Sequence, residues 1–144
     1  MASVLPDPQT EFGARVDRRL REDKLAWLTV VDATGTPQPA PVWFLWDEGS
    51  QTVLVYSRGE AKRLEHLRAN PRVALHLDGD GRGGDVVVLT GRAERAPDEP
   101  PAPENPPYLD KYGEWIMRGW GTAEKFAAQY SVPLRLSVRR LRGH

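Results

Sequence analysis

The sequence predicts a mainly β domain: an antiparallel sheet of six to seven strands, curled into a small β-barrel with flanking helices. Three observations carry this. Short β-branched and aromatic runs recur along the chain. Tight turns or glycine-rich loops join most of them, which implies antiparallel pairing. The length of 144 residues, with 13 Gly, 13 Pro and five Trp, suits one domain over 1–144 without an internal repeat or a second core.

Residues 1–24 hold the first helix. From Pro8 to Asp23, Phe12, Val16 and Leu20 recur every four residues among charged neighbours, an amphipathic helix with a narrow apolar stripe. Asp7 is its expected N-cap and Pro8 its expected first residue. Leu25 to Asp32 is β-branched and aromatic and reads as a strand, and Asp32-Ala33-Thr34-Gly35-Thr36 as a turn. Pro37, Pro39 and Pro41 alternate in the next segment, so it belongs at a sheet edge or bulge, with the proline nitrogens facing away from the neighbouring strand. Val42 to Trp46 is strand-like. Asp47 to Ser50 turns the chain into a strand over 52–57. A short helix is expected from Glu60 to Asn70, with Ala61, Leu64 and Leu67 inward and Pro71 as its stop. Strands over 73–77 and 85–93 flank a glycine-rich hairpin loop at 78–84. The segment 97–107 has six prolines in eleven residues and reads as an extended surface connection. Helices over 108–118 and 122–130 follow, then a last strand at 134–138.

Composition narrows the function. Lys plus Arg and Asp plus Glu number 20 each, and a neutral chain lacks the cationic surplus of a nucleic-acid binder. Without Cys there is no disulfide, thiolate nucleophile or Fe–S cluster, and three His residues make an all-histidine metal site a poor expectation. No apolar run approaches the ~20 residues of a membrane span, and the first residues lack a signal-peptide pattern. The expected setting is cytoplasmic.

Several motifs are expected to carry no chemistry. Gly79, Gly81 and Gly84 have dinucleotide-loop spacing, but a strand follows them where a helix belongs. Asp78, Asp80 and Asp85 suggest a calcium loop, yet Arg82 and Leu89 occupy ligand positions. His66 has no partner one turn away, and His76 reads as a barrel histidine. No Gly-x-Ser-x-Gly elbow occurs. The arginines of the tail, Arg135, Arg139, Arg140 and Arg142, read as a solvated strand face.

The informative stretch is Tyr56-Ser57-Arg58-Gly59-Glu60-Ala61-Lys62-Arg63-Leu64. A strand ends, glycine turns the chain and a helix opens, which is the layout of an anion site. Ser57 adds a hydroxyl, Arg58 a bidentate grip, Lys62 a compact charge, and Arg63 reinforces them. The structural alternative is a plain cap and solvated cations. Pro41-Val42-Trp43-Phe44 precedes this strand. With a hairpin turn near Gly49, Val42 and Trp43 come level with Tyr56, so a proline-interrupted edge next to an anion pocket can hold a flat heterocycle.

These residues resemble the pyridoxamine-phosphate-oxidase-like family of FMN-binding split β-barrels, in particular its branch that uses the deazaflavin coenzyme F420. The resemblance lies in Leu25 to Pro37, Pro41 to Trp46, Tyr56-Ser57, Ala61-Lys62-Arg63, Leu67, Asn70 to Leu75 and the closing Arg140 to His144. It implies a homodimer with two cofactor sites at the subunit interface. Val42 and Trp43 would line the ring, Tyr56 and Ser57 would lie under the phosphate-bearing arm, and Arg58, Lys62 and Arg63 would hold the phosphate, with Pro41 and Ala61 also among the cofactor-binding residues. The partner subunit would add residues near Asp85 to Val87 and Trp115 or Trp120. Where pyridoxal-phosphate-forming members have a basic strand, this chain has Pro37 to Pro41, which points to the deazaflavin branch.

The function this implies is an oxidoreductase that moves a hydride between F420 and a small organic acceptor. No catalytic residue is assigned, and Tyr56, solvent or cofactor is the expected proton source. Two alternatives stay open: an FMN-binding flavin reductase or oxidase, and a non-enzymatic cofactor or tetrapyrrole binder with His76 or His144 as axial ligand.

Overall fold

A computed structural model describes residues 3–144. Its elements run α1 (Glu11–Glu22), β1 (Ala26–Val31), β2 (Pro37–Val42), β3 (Leu45–Asp47), β4 (Thr52–Ser57), α2 (Arg63–Ala69), β5 (Arg72–Leu77), β6 (Val87–Arg95), α3 (Pro106–Trp120), α4 (Ala123–Gln129) and β7 (Val132–Gly143), with a short 3-10 turn at Ala102–Glu104. The seven strands form one sheet in the order β2-β1-β5-β6-β7-β4-β3, and every neighbouring pair is antiparallel. The two edge strands, β2 and β3, are separated in the chain by only Trp43 and Phe44. The two ends of the sheet therefore meet, and the sheet curls into the expected mainly β half-barrel.

Alternation builds the core. Ala26, Leu28 and Val30 of β1, Val73, Leu75 and Leu77 of β5, and Val53 and Val55 of β4 point inward with Val16 and Leu20 of α1 and Leu64 and Leu67 of α2. Each fully buried Leu or Val contributes about 1.5–3 kcal/mol of transfer free energy. A second cluster lies outside the barrel. Leu54 and Tyr56 use the opposite face of β4 to meet Tyr108, Tyr112, Ile116 and Phe126. β4 is thus covered on both faces, which explains its nearly continuous apolar sequence.

The prolines of β2 sit opposite Val31, Thr29 and Trp27. All three share one parity and have no N–H to donate, so their nitrogens face the open edge while Gln38, Ala40 and Val42 carry the ladder. The run from Val42 to Trp46, expected as one strand, is two. Val42 pairs with Ala26 and Leu45 with Leu54, because the chain leaves one edge and joins the other between them. α1 starts at Glu11, with Thr10 as N-cap accepting from the Gly13 N–H at 3.0 Å. Asp7 and Pro8 precede the helix, in a turn where the Asp7 carbonyl accepts from the Thr10 N–H. The last strand runs far beyond Val138, to Gly143. A bulge keeps it paired: Gly91 faces Val138 and Thr90 faces Arg140, leaving Arg139 as the extra residue. A Cβ on Gly91 would overlap the Ser137 carbonyl. The proline-rich segment is not wholly a surface feature, since Ala102 and Asn105 are buried.

Among the described residues, no helix is long and apolar enough to cross a membrane, and no group of three or more His, Cys, Asp or Glu is placed to hold a metal.

Candidate functional site

β4 delivers Tyr56 and Ser57 to the end of the sheet, and a tight turn at 58–62 carries the chain into α2. Ala61 N–H donates to the Arg58 carbonyl and Leu64 N–H to that of Ala61, both at 3.2 Å. α2 itself begins at Arg63 and has seven residues, so the helix start expected at Glu60 lies three residues early. So short a helix offers a weak dipole. The positive potential here comes from side chains.

The turn separates two cavities. The first, about 300 Å3, is lined by Pro41, Val42, Trp43, Tyr56, Arg58, Ala61 and Arg63 together with Tyr108, Trp120, Phe126 and Tyr130. The second, about 460 Å3, lies between the β1–β2 edge and the start of α2, where Lys62 and His66 join Asp32, Gln38 and Pro39. Ala61 and Arg63 line both. Seven of the nine expected residues therefore line the aromatic cavity and Lys62 lines the second, with Ala61 and Arg63 at the boundary between the two. Ser57 lines neither: it is fully buried, and its hydroxyl donates to the Arg58 carbonyl at 3.2 Å.

The three cations differ. Arg58 is paired with Glu60 at 3.0 Å, and its guanidinium lies 5.8 Å from the centre of the Tyr130 ring. Lys62 is exposed. Arg63 is largely covered, and among the described residues no carboxylate pairs with it. Burial pushes its pKa down, with the Tyr130 hydroxyl acting the other way. Arg63 lines both cavities, so an anionic group in either one can reach its guanidinium.

The aromatic end is built around Trp43. Its ring lies parallel to Tyr112 (4.8 Å, 6°) and to Phe126 (5.4 Å, 9°), and Phe126 is parallel to Tyr130 (4.9 Å, 9°). Trp120 meets Trp43, Phe126 and Tyr130 edge-on. Such parallel and edge contacts are worth about 0.5–1.5 kcal/mol each beyond area burial and hold the Trp43 ring among its neighbours. Tyr56 does not present its hydroxyl to the cavity. It donates to the Pro100 carbonyl at 2.6 Å and accepts from Asn105 Nδ2 at 3.1 Å. Burial raises its pKa, opposed by the Asn105 hydrogen bond.

Sequence reasoning missed Tyr108, Phe126 and Tyr130. Tyr108, Tyr112 and Ile116 have helical spacing, so the apolar face of α3 was readable, but not what it covers. Trp115 and Trp120, expected from the partner subunit, pack on Trp43 of their own chain. Asp85 is engaged by Arg15 at 2.7 Å and Arg19 at 3.1 Å.

The family model described as pyridoxamine 5'-phosphate oxidase matches residues 12–144. No curated protein matches the chain. Among solved structures, an F420 reductase shares the fold with a TM-score of 0.66 at 21% identity, over 88% of this chain and 94% of that one. A pyridoxamine 5'-phosphate oxidase-like protein from Listeria innocua gives 0.64 at 21%, over 90% and 94%. HutZ, a heme storage protein from Vibrio cholerae, gives 0.62 at 15%, over 93% and 95%. At these identities the structural likeness speaks for the fold. With a family match across nearly its whole length, and the same architecture in these neighbours, the chain belongs to the pyridoxamine 5'-phosphate oxidase family.

Proposed function

We propose that this protein is an F420-dependent oxidoreductase, a reductase acting on a small organic acceptor. The observation that carries the reading is Arg63: a half-buried guanidinium that pairs with no carboxylate among the described residues, at the junction of an aromatic cavity and a cationic groove. A ligand that is flat at one end and anionic along its arm satisfies both ends at once, and a deazaflavin has that form. Sharing a fold with an F420 reductase supports the choice of cofactor.

The donor set fits the group. Arg63 and Lys62 would hold the phosphate, with Arg58 beside them; Ala61 lines both cavities. Pro41, Val42 and Trp43 would form the wall along the ring. Bound F420 supplies the hydride chemistry. The chain's own contribution is to bind, to fix orientation through the stacked Trp43 wall, and to exclude water with the α3–α4 aromatic cover. No side chain is assigned as proton donor, because the Tyr56 hydroxyl is held by Pro100 and Asn105.

The reading includes a homodimer with the sites at its interface. Its support is the outward face of β1, β5 and β6. There Trp27 pairs with His76 and His76 with Val88, while Thr29 pairs with Ala74 and Ala74 with Thr90. All six remain half-exposed.

Side-by-side titration with F420 and FMN, read by cofactor fluorescence, tests the proposal. F420 is expected to bind more tightly, and the loaded protein to reduce members of a quinone and tetrapyrrole panel. Preferential FMN binding with a yellow purified protein would favour the flavin alternative. A Soret band without turnover would favour a tetrapyrrole carrier. Absence of F420 binding would overturn the reading.

A further inference from the structure

The link between the two sheet edges is held by a device that no strand ladder supplies. Trp43 and Phe44 lie between β2 and β3 and belong to neither. Phe44 is fully buried in the barrel core, whereas Trp43 packs in the outer aromatic cluster. The peptide groups around Phe44 need partners from elsewhere, and α3 provides them. Phe44 N–H donates to the Tyr112 hydroxyl at 2.9 Å. The same hydroxyl reaches the Phe44 carbonyl at 3.0 Å and the Lys24 carbonyl at 2.8 Å. Lys111 Nζ donates to the Phe44 carbonyl at 2.8 Å and lies 3.9 Å from the Phe44 ring centre. The ring of Tyr112 is meanwhile parallel to Trp43 at 4.8 Å. One tyrosine thus fixes both the backbone that carries Trp43 and the plane of its indole.

We infer that Lys111 and Tyr112 are positioning residues for the cofactor site: together they set the plane in which Trp43 is offered to the cavity, and through it the affinity for a flat ligand. Neither residue lines the cavity, so the effect passes through Trp43. The inference rests on the proposed cofactor reading for its consequence, but its geometric part can be tested separately.

Protein labelled with 5-fluorotryptophan has five Trp, and the Trp43 19F resonance is assigned by W43F. Tyr112→Phe keeps the ring but removes the hydroxyl that serves Phe44. It is expected to move or broaden the Trp43 resonance, to leave that of Trp27 on β1 in place, and to raise the F420 dissociation constant about tenfold, as expected for a lost buried hydrogen bond. Lys111→Met is expected to act in the same direction, with Lys111→Arg restoring part of the loss. A Trp43 resonance unmoved in both Tyr112→Phe and Lys111→Met overturns the inference, as does a moved resonance with unchanged F420 affinity. If the unmodified protein binds no F420, the cofactor reading fails and the affinity consequence falls with it, while the resonances still decide the geometric part.

Discussion

Tyr56 and Asn105 join the cavity wall to the proline-rich segment: Asn105 Nδ2 donates to the Tyr56 hydroxyl at 3.1 Å, and both residues are buried. Asn105 is also the N-cap of α3, its side chain accepting from the Tyr108 N–H at 3.3 Å. The hydroxyl is therefore a structural link between β4 and the aromatic cover. Tyr56→Phe leaves Asn105 Nδ2 and the Pro100 carbonyl short of a partner, and is expected to lower stability by about 1–3 kcal/mol, visible as a lower midpoint in thermal unfolding. Turnover measured well below that midpoint should fall little. A collapse of turnover with an unchanged midpoint would make Tyr56 a proton donor instead.

Arg58 and Arg63 look equivalent in sequence and differ in the fold. Glu60 already compensates Arg58, while among the described residues no carboxylate pairs with Arg63. Arg63→Met is expected to raise the F420 dissociation constant at least tenfold, within the range for charge-assisted hydrogen bonds, without lowering thermal stability, because it removes a half-buried charge that pairs with no carboxylate among the described residues. Arg58→Met is expected to cost severalfold less affinity. Equal losses in a fluorescence titration would contradict the asymmetry.

Local chemistry was legible where a single residue type dictates the backbone. Alternating Pro37, Pro39 and Pro41 place β2 at an edge, since no other position tolerates three missing donors. The alternation of β1 and β5 likewise shows which side chains meet the core. What the sequence hides are contacts distant in the chain. Trp43 lies next to Tyr112 and Phe126 because α3 and α4 fold back over β4, and no periodicity reports that. The start of α2 was misplaced for a related reason. Glu60 suits a first helical turn, but here its carboxylate pairs with Arg58 within the tight turn.

Arg72 and Arg92 stand directly opposite across the β5–β6 ladder, and both are exposed. Among the described residues neither has an acidic partner. Like charges in this position are unfavourable by about 0.2–1 kcal/mol. Arg92→Glu is expected to reverse the sign and raise the thermal midpoint by a degree or more at low salt, with the gain shrinking as salt rises. A lower midpoint for Arg92→Glu at all salt concentrations would show that the pair is already compensated, for instance across a dimer interface.

Lys111 sets the alkaline behaviour. Burial pulls its pKa down to about 8, with Asp23 opposing and Lys24 adding to the fall. In the unfolded chain the amine retains its proton to about pH 10.4. Between these values the unfolded state binds more protons than the folded one, so stability rises with pH through this window. Above about pH 10 the sign reverses, because burial raises the pKa of Tyr56, Tyr108 and Tyr112 in the fold, and the folded state then holds protons that the unfolded chain releases. Chemical denaturation as a function of pH is expected to show stability climbing from about pH 8 and turning over near pH 10. In Lys111→Met the climb should disappear while the fall above pH 10 remains. A profile for Lys111→Met that still climbs between pH 8 and 10 would mean that another group, not the lysine held at the Phe44 carbonyl, changes its proton affinity on folding.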